Sequence, residues 1–370
     1  VKMRIRITDL VQKGQGIGRC EDGRVIFVSG ALPGELVDVQ VTREKKDFLM
    51  GNAVSVIESS PDRTVPVCPL YGICGGCNLM HLRYEAQLSA KKKLFLDTLH
   101  QFHALDKSPS FQMEAPASGK SLGYRTRVRF EIKDSSAGFF RSGSNEFVAV
   151  QSCPVLDPEI NALLVHPEKL AAVANGGEAA VCMSSNGPLL GRENGFATIM
   201  GKTLPVSNSV FFQSNLSLLP EMIDYIVSLV QGENVMDLFS GIGTFSAFLE
   251  DHHKVIAVER DPHCLALARM HLKSTEFFTR SVEDFKFTKW AQTIIVDPPR
   301  TGLDKKVPAQ LGKLGASRII YASCDSVTFA RDAALFSELG YALTSSRIFD
   351  FYPQTSHMES VNVLDRRTGK

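Results

Sequence analysis

Two groups of side chains in this chain have the type and spacing to do chemistry. Cys68, Cys74 and Cys77 fall within ten residues, in a Pro- and Gly-rich loop without helical or strand period. Thiolates this close, on a backbone freed by Gly75 and Gly76, can converge on one soft metal centre. A fourth ligand must come from elsewhere, and Cys153, followed by Pro154, is the best candidate. Ligand chemistry alone leaves zinc and an iron–sulfur cluster open. Cys20, Cys182 and Cys264 have no partner at ligand spacing and read as packing residues. The second group is Cys324 and Glu359. Cys324 stands just past the apolar run Ile319-Ile320-Tyr321-Ala322, among Ser323, Asp325 and Ser326. A lone cysteine is more often a small buried hydrophobe, but this position favours a nucleophile. Its base would be Glu359, in His357-Met358-Glu359. A carboxyl tucked among apolar strands has a raised pKa and can take or give a proton, although alone it reads as a surface carboxylate.

The elements that must position these groups form an alternating series. Val235-Met236-Asp237-Leu238-Phe239-Ser240-Gly241-Ile242-Gly243 is a strand, a tight glycine turn and a helix start. Glu259, eighteen residues after Gly241, closes the run Val255 to Val258 and can accept hydrogen bonds from both ribose hydroxyls of an adenosine. Ile294-Ile295-Val296 leads into Asp297-Pro298-Pro299-Arg300, and the strand before Cys324 follows. The pattern predicts an α/β fold, a doubly wound parallel sheet that binds ligands at its strand C-termini. A dehydrogenase fingerprint requires a third glycine where Ser246 stands, which disfavours hydride chemistry.

Upstream, the chain reads as β-rich. Short strands punctuated by Gly14, Gly16, Gly18, Gly30 and Gly34 fill the first sixty residues and suggest a small barrel. Lys13, Arg24, Arg43, Lys45 and Lys46 could meet phosphates there, although acidic neighbours favour solvated loop charges. Leu79 to about Leu105 has a helical period, with Lys91-Lys92-Lys93 on its solvated side. Period two then places Arg125, Arg127 and Arg129 on one strand face. That row suits a phosphate backbone better than acidic cross-strand partners. The stretch from Pro154 to Pro205 is assigned no function. A chain of 370 residues with a formal charge of +1 suggests two or three domains without overall basicity. Eight cysteines argue for metal or catalysis over disulfides, and no apolar stretch approaches a membrane span. The expectation is a cytoplasmic monomer without leader or membrane association.

Two resemblances sharpen this reading. Gly14-x-Gly16-x-Gly18, Asp22-Gly23-Arg24-Val25-Ile26-Phe27-Val28 and Ala31-Leu32-Pro33-Gly34-Glu35 resemble a TRAM domain, which implies an OB-like barrel that grips RNA. Phe212-Gln213-x-Asn215, Asp237-Leu-Phe-x-Gly-x-Gly, Asp297-Pro-Pro-Arg300, Ser323-Cys324 and His357-x-Glu359, in that order, resemble the RNA 5-methyluridine methyltransferases across essentially the whole chain. The resemblance implies a Rossmann-like class I S-adenosylmethionine-dependent catalytic domain over 206–370. It also implies a TRAM barrel over 1–59 and a β-rich central RNA-binding domain over 60–205, with helix 79–105 packed on the catalytic domain. Cys68, Cys74, Cys77 and Cys153 would hold a 4Fe–4S cluster. Gln213, Phe239, Thr244, Glu259, Ser281 and Asp297 would contact S-adenosylmethionine, and Arg300 would help orient an unpaired or flipped uridine. Ribosomal RNA is the expected substrate, with the T loop of transfer RNA as the alternative. Thr244 and Ser281 stand where the family commonly carries Asn, and Ser-Cys-Asn-Pro reads Ser-Cys-Asp-Ser here. Asp325 would put a negative charge beside the thiol. An idle RNA-binding protein, or a methyltransferase acting on an adenine amino group, are the competing classes. Intact Cys324 and Glu359 count against the first, and Arg300 after Asp-Pro-Pro counts against the second.

Overall fold

A computed structural model describes residues 2–367. The chain opens on five strands, β1 Lys2–Val11, β2 Gln15–Arg19, β3 Val25–Ser29, β4 Leu36–Glu44 and β5 Phe48–Glu58. They close into a barrel in the order β1-β2-β3-β5-β4. Alternation drives the closure, since Ile5, Ile7, Ile26, Val28, Val37, Val39 and Leu49 all point inward. Gly18 lets β1 and β2 approach, because a Cβ there would lie 2.5 Å from Ile5 Cγ2 and 2.6 Å from the Arg6 carbonyl. Arg24, a candidate phosphate contact, is instead committed to Asp22 and Glu44.

Helix α1, Tyr84–Gln101, and the short strand β6, Gln112–Met113, follow. The central sheet is built from β7 Arg127–Lys133, β8 Ser136–Phe140, β9 Phe147–Ala149, β10 Glu178–Ser184 and β11 Gly187–Leu190, in the order β11-β10-β7-β8-β9. Helices α2 Pro158–Ala162 and α3 Pro167–Val173 pack on it, and β12 Asn194–Ile199 pairs with β13 Lys202–Ser207 as a hairpin. A domain boundary at 205 therefore cuts through β13.

The remaining elements are α4 Leu219–Leu229, β14 Asn234–Leu238, α5 Ser246–Leu249, β15 Lys254–Glu259, α6 Pro262–His271, β16 Glu276–Thr279, β17 Thr293–Val296, α7 Lys306–Leu314, β18 Arg318–Ser323, α8 Ser326–Glu338, β19 Tyr341–Phe349 and β20 Glu359–Arg366. Their strands form one eight-stranded sheet, ordered β16-β15-β14-β17-β18-β20-β19-β6. The first five run parallel, while β20 inserts antiparallel between β18 and β19. Strand order reverses between β14 and β17, which opens a crevice at their C-terminal ends. Helices cover both faces, and α1 packs on α8 with Phe95 stacked on Phe329 at 6.0 Å. With β6 paired to β19, the segment from α1 to β6 lies with the catalytic sheet although it precedes the central one. Among the described residues no helix is long and apolar enough to cross a membrane.

Within the lysine run on α1, Lys93 is exposed as expected, but Lys91 departs from the solvated placement. Lys91 is fully buried, donating to Asp350 at 2.6 Å and to the Tyr352 carbonyl at 3.0 Å. The Tyr84 hydroxyl bonds the same carboxylate at 2.9 Å. Burial lowers the Lys91 pKa, and Asp350 opposes that. A buried pair of this kind ties α1 to the end of β19, and removing one partner typically costs about 3–5 kcal/mol.

Candidate active site

The crevice is shaped by backbone conformations that side chains rarely permit. Phe239, Gly241 and Gly243 have φ of 61°, 56° and 77°. At Gly243 a Cβ would lie 2.4 Å from Leu272 Cδ1, so the turn admits only glycine there; at Gly241 a Cβ would meet nothing within 4 Å, and the backbone faces open space. Glu259, at the end of β15, braces the turn from the side. One carboxylate oxygen accepts from the Gly241 N–H at 3.0 Å and the other from the Asp261 N–H at 2.8 Å. Each oxygen keeps a lone pair for a further donor.

Asp237 lies at the floor, fully buried, and accepts from the Ser246 hydroxyl at 2.6 Å. Ser246, which replaces a dehydrogenase glycine, thus has a structural task. Burial pushes the Asp237 carboxyl up to about 6, and burial plus the Asp237 charge pushes Asp297 up to about 7. Several buried oxygens in this region lack a partner among the described residues, including Gln213 Oε1, Ser214 Oγ, Ser240 Oγ and Asp237 Oδ1. Such atoms are costly unless a ligand satisfies them. Thr244 is half-buried on the glycine turn. The Ser281 hydroxyl is engaged, donating to Asp284 at 2.8 Å.

Cys324 and Glu359, far apart in sequence, converge through the β18–β20 ladder. The register pairs Ser323 with Ser360 antiparallel, so the next step sets Cys324 opposite Glu359. Glu359 is buried, and its pKa rises well above the usual carboxylate range through burial and then the Asp297 charge, with Arg300 opposing. The half-buried Cys324 thiol is pushed up to about 12 by burial, then by Glu359 and Asp297, with Arg300 lowering it and Asp325 adding a small rise. Asp325 does not simply confront the thiol. Its carboxylate caps α8, accepting from the Val327 and Thr328 N–H groups at 3.0 and 2.9 Å. The neighbouring Ser326 hydroxyl accepts from Gln12 of the barrel at 3.2 Å. Arg300 is exposed at the mouth, its carbonyl held by the Thr328 hydroxyl at 3.1 Å.

The arginine row does not share one open face. Arg125 precedes the strand and donates from Nε to the Arg127 carbonyl at 3.1 Å. Arg127 turns inward, giving its guanidinium to the Ser207 and Asn208 carbonyls at 2.9 and 3.1 Å. Arg129 is exposed but paired across the strands with Glu178 at 3.1 Å, an acidic partner of the kind weighed against phosphate contact. Arg125 occupies the ground between two sites. It lines the cysteine cavity, and its charge reaches Tyr352, which also feels Glu359 and Cys324. Tyr352, beside Cys324 and Glu359, went unnoticed in sequence, where it reads only as part of the run Phe349 to Pro353.

Cys68, Cys74, Cys77 and Cys153 line one cavity of about 210 Å³, with Tyr71, Met80 and Arg125. The fold brings distant Cys153 to the local three, its N–H held by Asn161 Oδ1 at 2.7 Å. The Cys74 sulfur accepts from the Gly76 N–H at 3.4 Å. Burial, then the other three thiols, push Cys77 up to about 12, with Arg125 opposing. Among the described residues no group of three or more His, Cys, Asp or Glu is placed to hold a metal ion. Cys182 and Cys264 are buried, and Cys20 lies 3.7 Å from the Met3 sulfur, as packing residues do.

The parallel sheet, with β20 inserted antiparallel between β18 and β19, and its glycine crevice have the fold of a class I S-adenosylmethionine-dependent methyltransferase. The solved Pyrococcus abyssi tRNA (uracil-54, C5)-methyltransferase, in complex with S-adenosyl-L-homocysteine, shares the fold over 98% of this chain and 99% of that one, with a TM-score of 0.80 at 23% identity. A TRAM domain model matches residues 2–54, and a tRNA (Uracil-5-)-methyltransferase model matches residues 266–367. An uncharacterized RNA methyltransferase of Treponema denticola is 32% identical, over 94% of this chain and 95% of its own length. The 23S rRNA (uracil(1939)-C(5))-methyltransferase RlmD of Stenotrophomonas maltophilia is 32% identical, over 98% and 96%. The chain belongs to the family of RNA (uracil-C5) methyltransferases, and it is an enzyme that uses S-adenosylmethionine.

Proposed function

We propose that the protein methylates C5 of an unpaired or flipped uridine in structured ribosomal RNA through a covalent Cys324 adduct, with Glu359 as general base. The observation that carries this reading is that the Ser323–Ser360 pair closing the β18–β20 ladder brings the adjoining Cys324 and Glu359 within electrostatic reach of each other and of Asp297. Uracil C5 is too weak a nucleophile to attack a methyl sulfonium unaided. Addition of the Cys324 thiolate to C6 moves an electron pair toward O4 as an enolate and makes C5 nucleophilic. C5 then takes the methyl group of S-adenosylmethionine, held in line by the glycine turn. Glu359 removes the C5 proton, the C6–S bond breaks, and 5-methyluridine leaves as the thiolate is restored. Burial raises the Glu359 pKa, which makes its carboxylate a stronger proton acceptor. Gln213, Phe239, Thr244, Glu259, Ser281 and Asp297 form the S-adenosylmethionine site in this reading, with Glu259 on the ribose. Arg300 faces the uracil and steadies the enolate, and Arg125 is better placed than Arg127 or Arg129 to approach the substrate.

The ribosomal reading rests on the names of close relatives, and transfer RNA is the alternative that the fold neighbour suggests. A soluble monomer in the cytoplasm suits either. We also propose that Cys68, Cys74, Cys77 and Cys153 hold a 4Fe–4S cluster. Four thiols around a cavity of about 210 Å³ fit a polynuclear group better than one ion. The cluster would supply covalent staples between the cysteine loop and the central domain, and no catalytic step passes through it.

The test is an RNA carrying 5-fluorouridine, incubated with the enzyme and S-adenosylmethionine. Fluorine cannot leave C5 as a proton, so a covalent protein–RNA band should persist and should vanish in Cys324→Ala. Ribosomal and transfer RNA fragments assayed side by side locate the target. No band with either RNA, despite bound S-adenosylmethionine, would sink the adduct mechanism.

A further inference from the structure

The mechanism above leaves unused a polar network beneath the segment that delivers Glu359. Residues 350–358 connect β19 to β20, and the segment turns through Gln354, whose φ is 68°. A left-handed non-glycine residue persists only where its surroundings over-determine it. Its anchors come from two elements. On α1, Gln87 exchanges two hydrogen bonds with Gln354, donating to Oε1 at 3.0 Å and accepting from the backbone N–H at 2.9 Å. Lys91 and Tyr84 hold Asp350, and Lys91 also holds the Tyr352 carbonyl. These contacts secure the first half of the segment.

The second half is held from the cysteine loop. The N–H groups of Asn78 and Leu79 both donate to the Gln354 carbonyl, at 3.2 and 3.0 Å. The Asn78 side chain grips Ser356 twice: Oδ1 accepts from the Ser356 N–H at 2.8 Å, and Nδ2 donates to the Ser356 hydroxyl at 3.0 Å. The same amide nitrogen donates to the Lys13 carbonyl of the barrel at 2.8 Å. Asn78 directly follows Cys77, and Ser356 precedes Glu359 by three residues. One side chain therefore joins the barrel, the wall of the cysteine cavity and the approach to the base.

We propose that Asn78 is a positioning residue for Glu359, registering the 350–358 segment against the cysteine loop and the barrel turn. The proposal rests on the reading of Glu359 as the base that releases the adduct. A planar amide facing a serine backbone N–H and hydroxyl fixes both direction and distance, which a single hydrogen bond does not. Cys324 is placed independently, by β18 and the α8 cap. Loss of Asn78 should thus disturb the base and spare the nucleophile. A displacement near 1 Å at a reacting group can cost about 100-fold in rate.

That asymmetry supplies the test. On ordinary uridine RNA the unaltered enzyme releases its adduct quickly. Asn78→Ala should instead accumulate a methylated covalent protein–RNA species, with turnover reduced about 100-fold. Its rate of adduct formation on 5-fluorouridine RNA should stay within about threefold of the unaltered enzyme, since that step does not need the base. Asn78→Asp keeps an acceptor for the Ser356 N–H but sets an oxygen against the Lys13 carbonyl, so it should recover turnover only in part. Ser356→Ala removes one of the two contacts and should show a smaller build-up; it also serves should Asn78→Ala fold poorly. Equal losses in adduct formation and turnover would overturn the proposal, as would unchanged turnover in both variants. An unaltered enzyme that forms no adduct on 5-fluorouridine RNA overturns the nucleophile–base reading, and this proposal with it. An adduct there without build-up in Asn78→Ala or Ser356→Ala overturns the proposal alone.

Discussion

Cys324 and Cys77 look alike by burial and differ in their company. Both thiols are pushed up to about 12, with burial as the first cause. Around Cys324 the remaining charges are the carboxyls of Glu359, Asp297 and Asp325, with Arg300 opposing. Around Cys77 they are the thiols of Cys153, Cys74 and Cys68, with Arg125 opposing. A thiol among carboxyls has proton acceptors near it, and in the proposed mechanism its thiolate forms when a substrate can take up the charge. A thiol among thiols has no such acceptor, and only a cation can compensate four thiolates at once. Burial alone assigns neither role; the neighbours do.

The largest test of this contrast is at the base. Glu359→Gln keeps shape and burial while removing the proton acceptor. Turnover should fall by roughly 10³-fold, within the range for loss of a general base, while S-adenosylmethionine binding measured by calorimetry stays unchanged. A methylated adduct should accumulate on ordinary uridine RNA and be visible as a slow-migrating band. If Glu359→Gln turns over at the native rate, Cys324 does not draw its function from the carboxyl opposite it.

At the cysteine cavity the same logic predicts a different kind of damage. On the proposed cluster assignment, Cys77→Ala should abolish bound iron and acid-labile sulfide and lower the Tm by about 5–10 °C. Adduct formation at Cys324 on 5-fluorouridine RNA should survive. Zinc in place of iron in anaerobically prepared protein would overturn the cluster assignment while leaving the four-thiol site intact.

The difference between the two sites also governs what the sequence discloses. The strands ending at Leu238, Glu259, Val296 and Ser323 are legible because buried parallel strands read as apolar runs that stop at glycine or polar residues. The glycine punctuation of the barrel is legible for the same local reason. The opposition of Cys324 and Glu359 is not, because it depends on β20 entering antiparallel between β18 and β19, a fact of topology. Lys91 misleads because a charge run on a helix normally faces water, and the distant Asp350 and Tyr352 carbonyl make its burial tolerable. Arg127 misleads similarly: period two sets its face, but the carbonyls of Ser207 and Asn208 that claim it lie some eighty residues on. Residues 154–205 carry no clear period, yet hold α2, α3 and four strands, most of them short edges around a small core. Asn78 has no signal at all, since its importance lies wholly in its partners.

The smallest expected effect concerns Asp325, where the chain departs from the family's Asn. The rate constant for adduct formation should rise with pH, since the thiol of Cys324 must lose its proton and burial and nearby anions hold that proton on. Asp325 is the last and weakest of those contributions, because its carboxylate is turned toward the α8 N–H groups. Asp325→Asn removes one anion and keeps a good cap. The alkaline rise should therefore move to lower pH, and the rate at a fixed neutral pH should increase by no more than about threefold, with stability nearly unchanged. Asp325→Ala gives the same electrostatic relief but loses the cap, at about 1 kcal/mol of stability. A pH–rate profile of the two variants beside a thermal melt separates these effects. Were Asp325→Asn to shift the profile to higher pH, the carboxylate would be assisting the thiolate, and the contrast drawn between the two thiol sites would fail at its nearest neighbour.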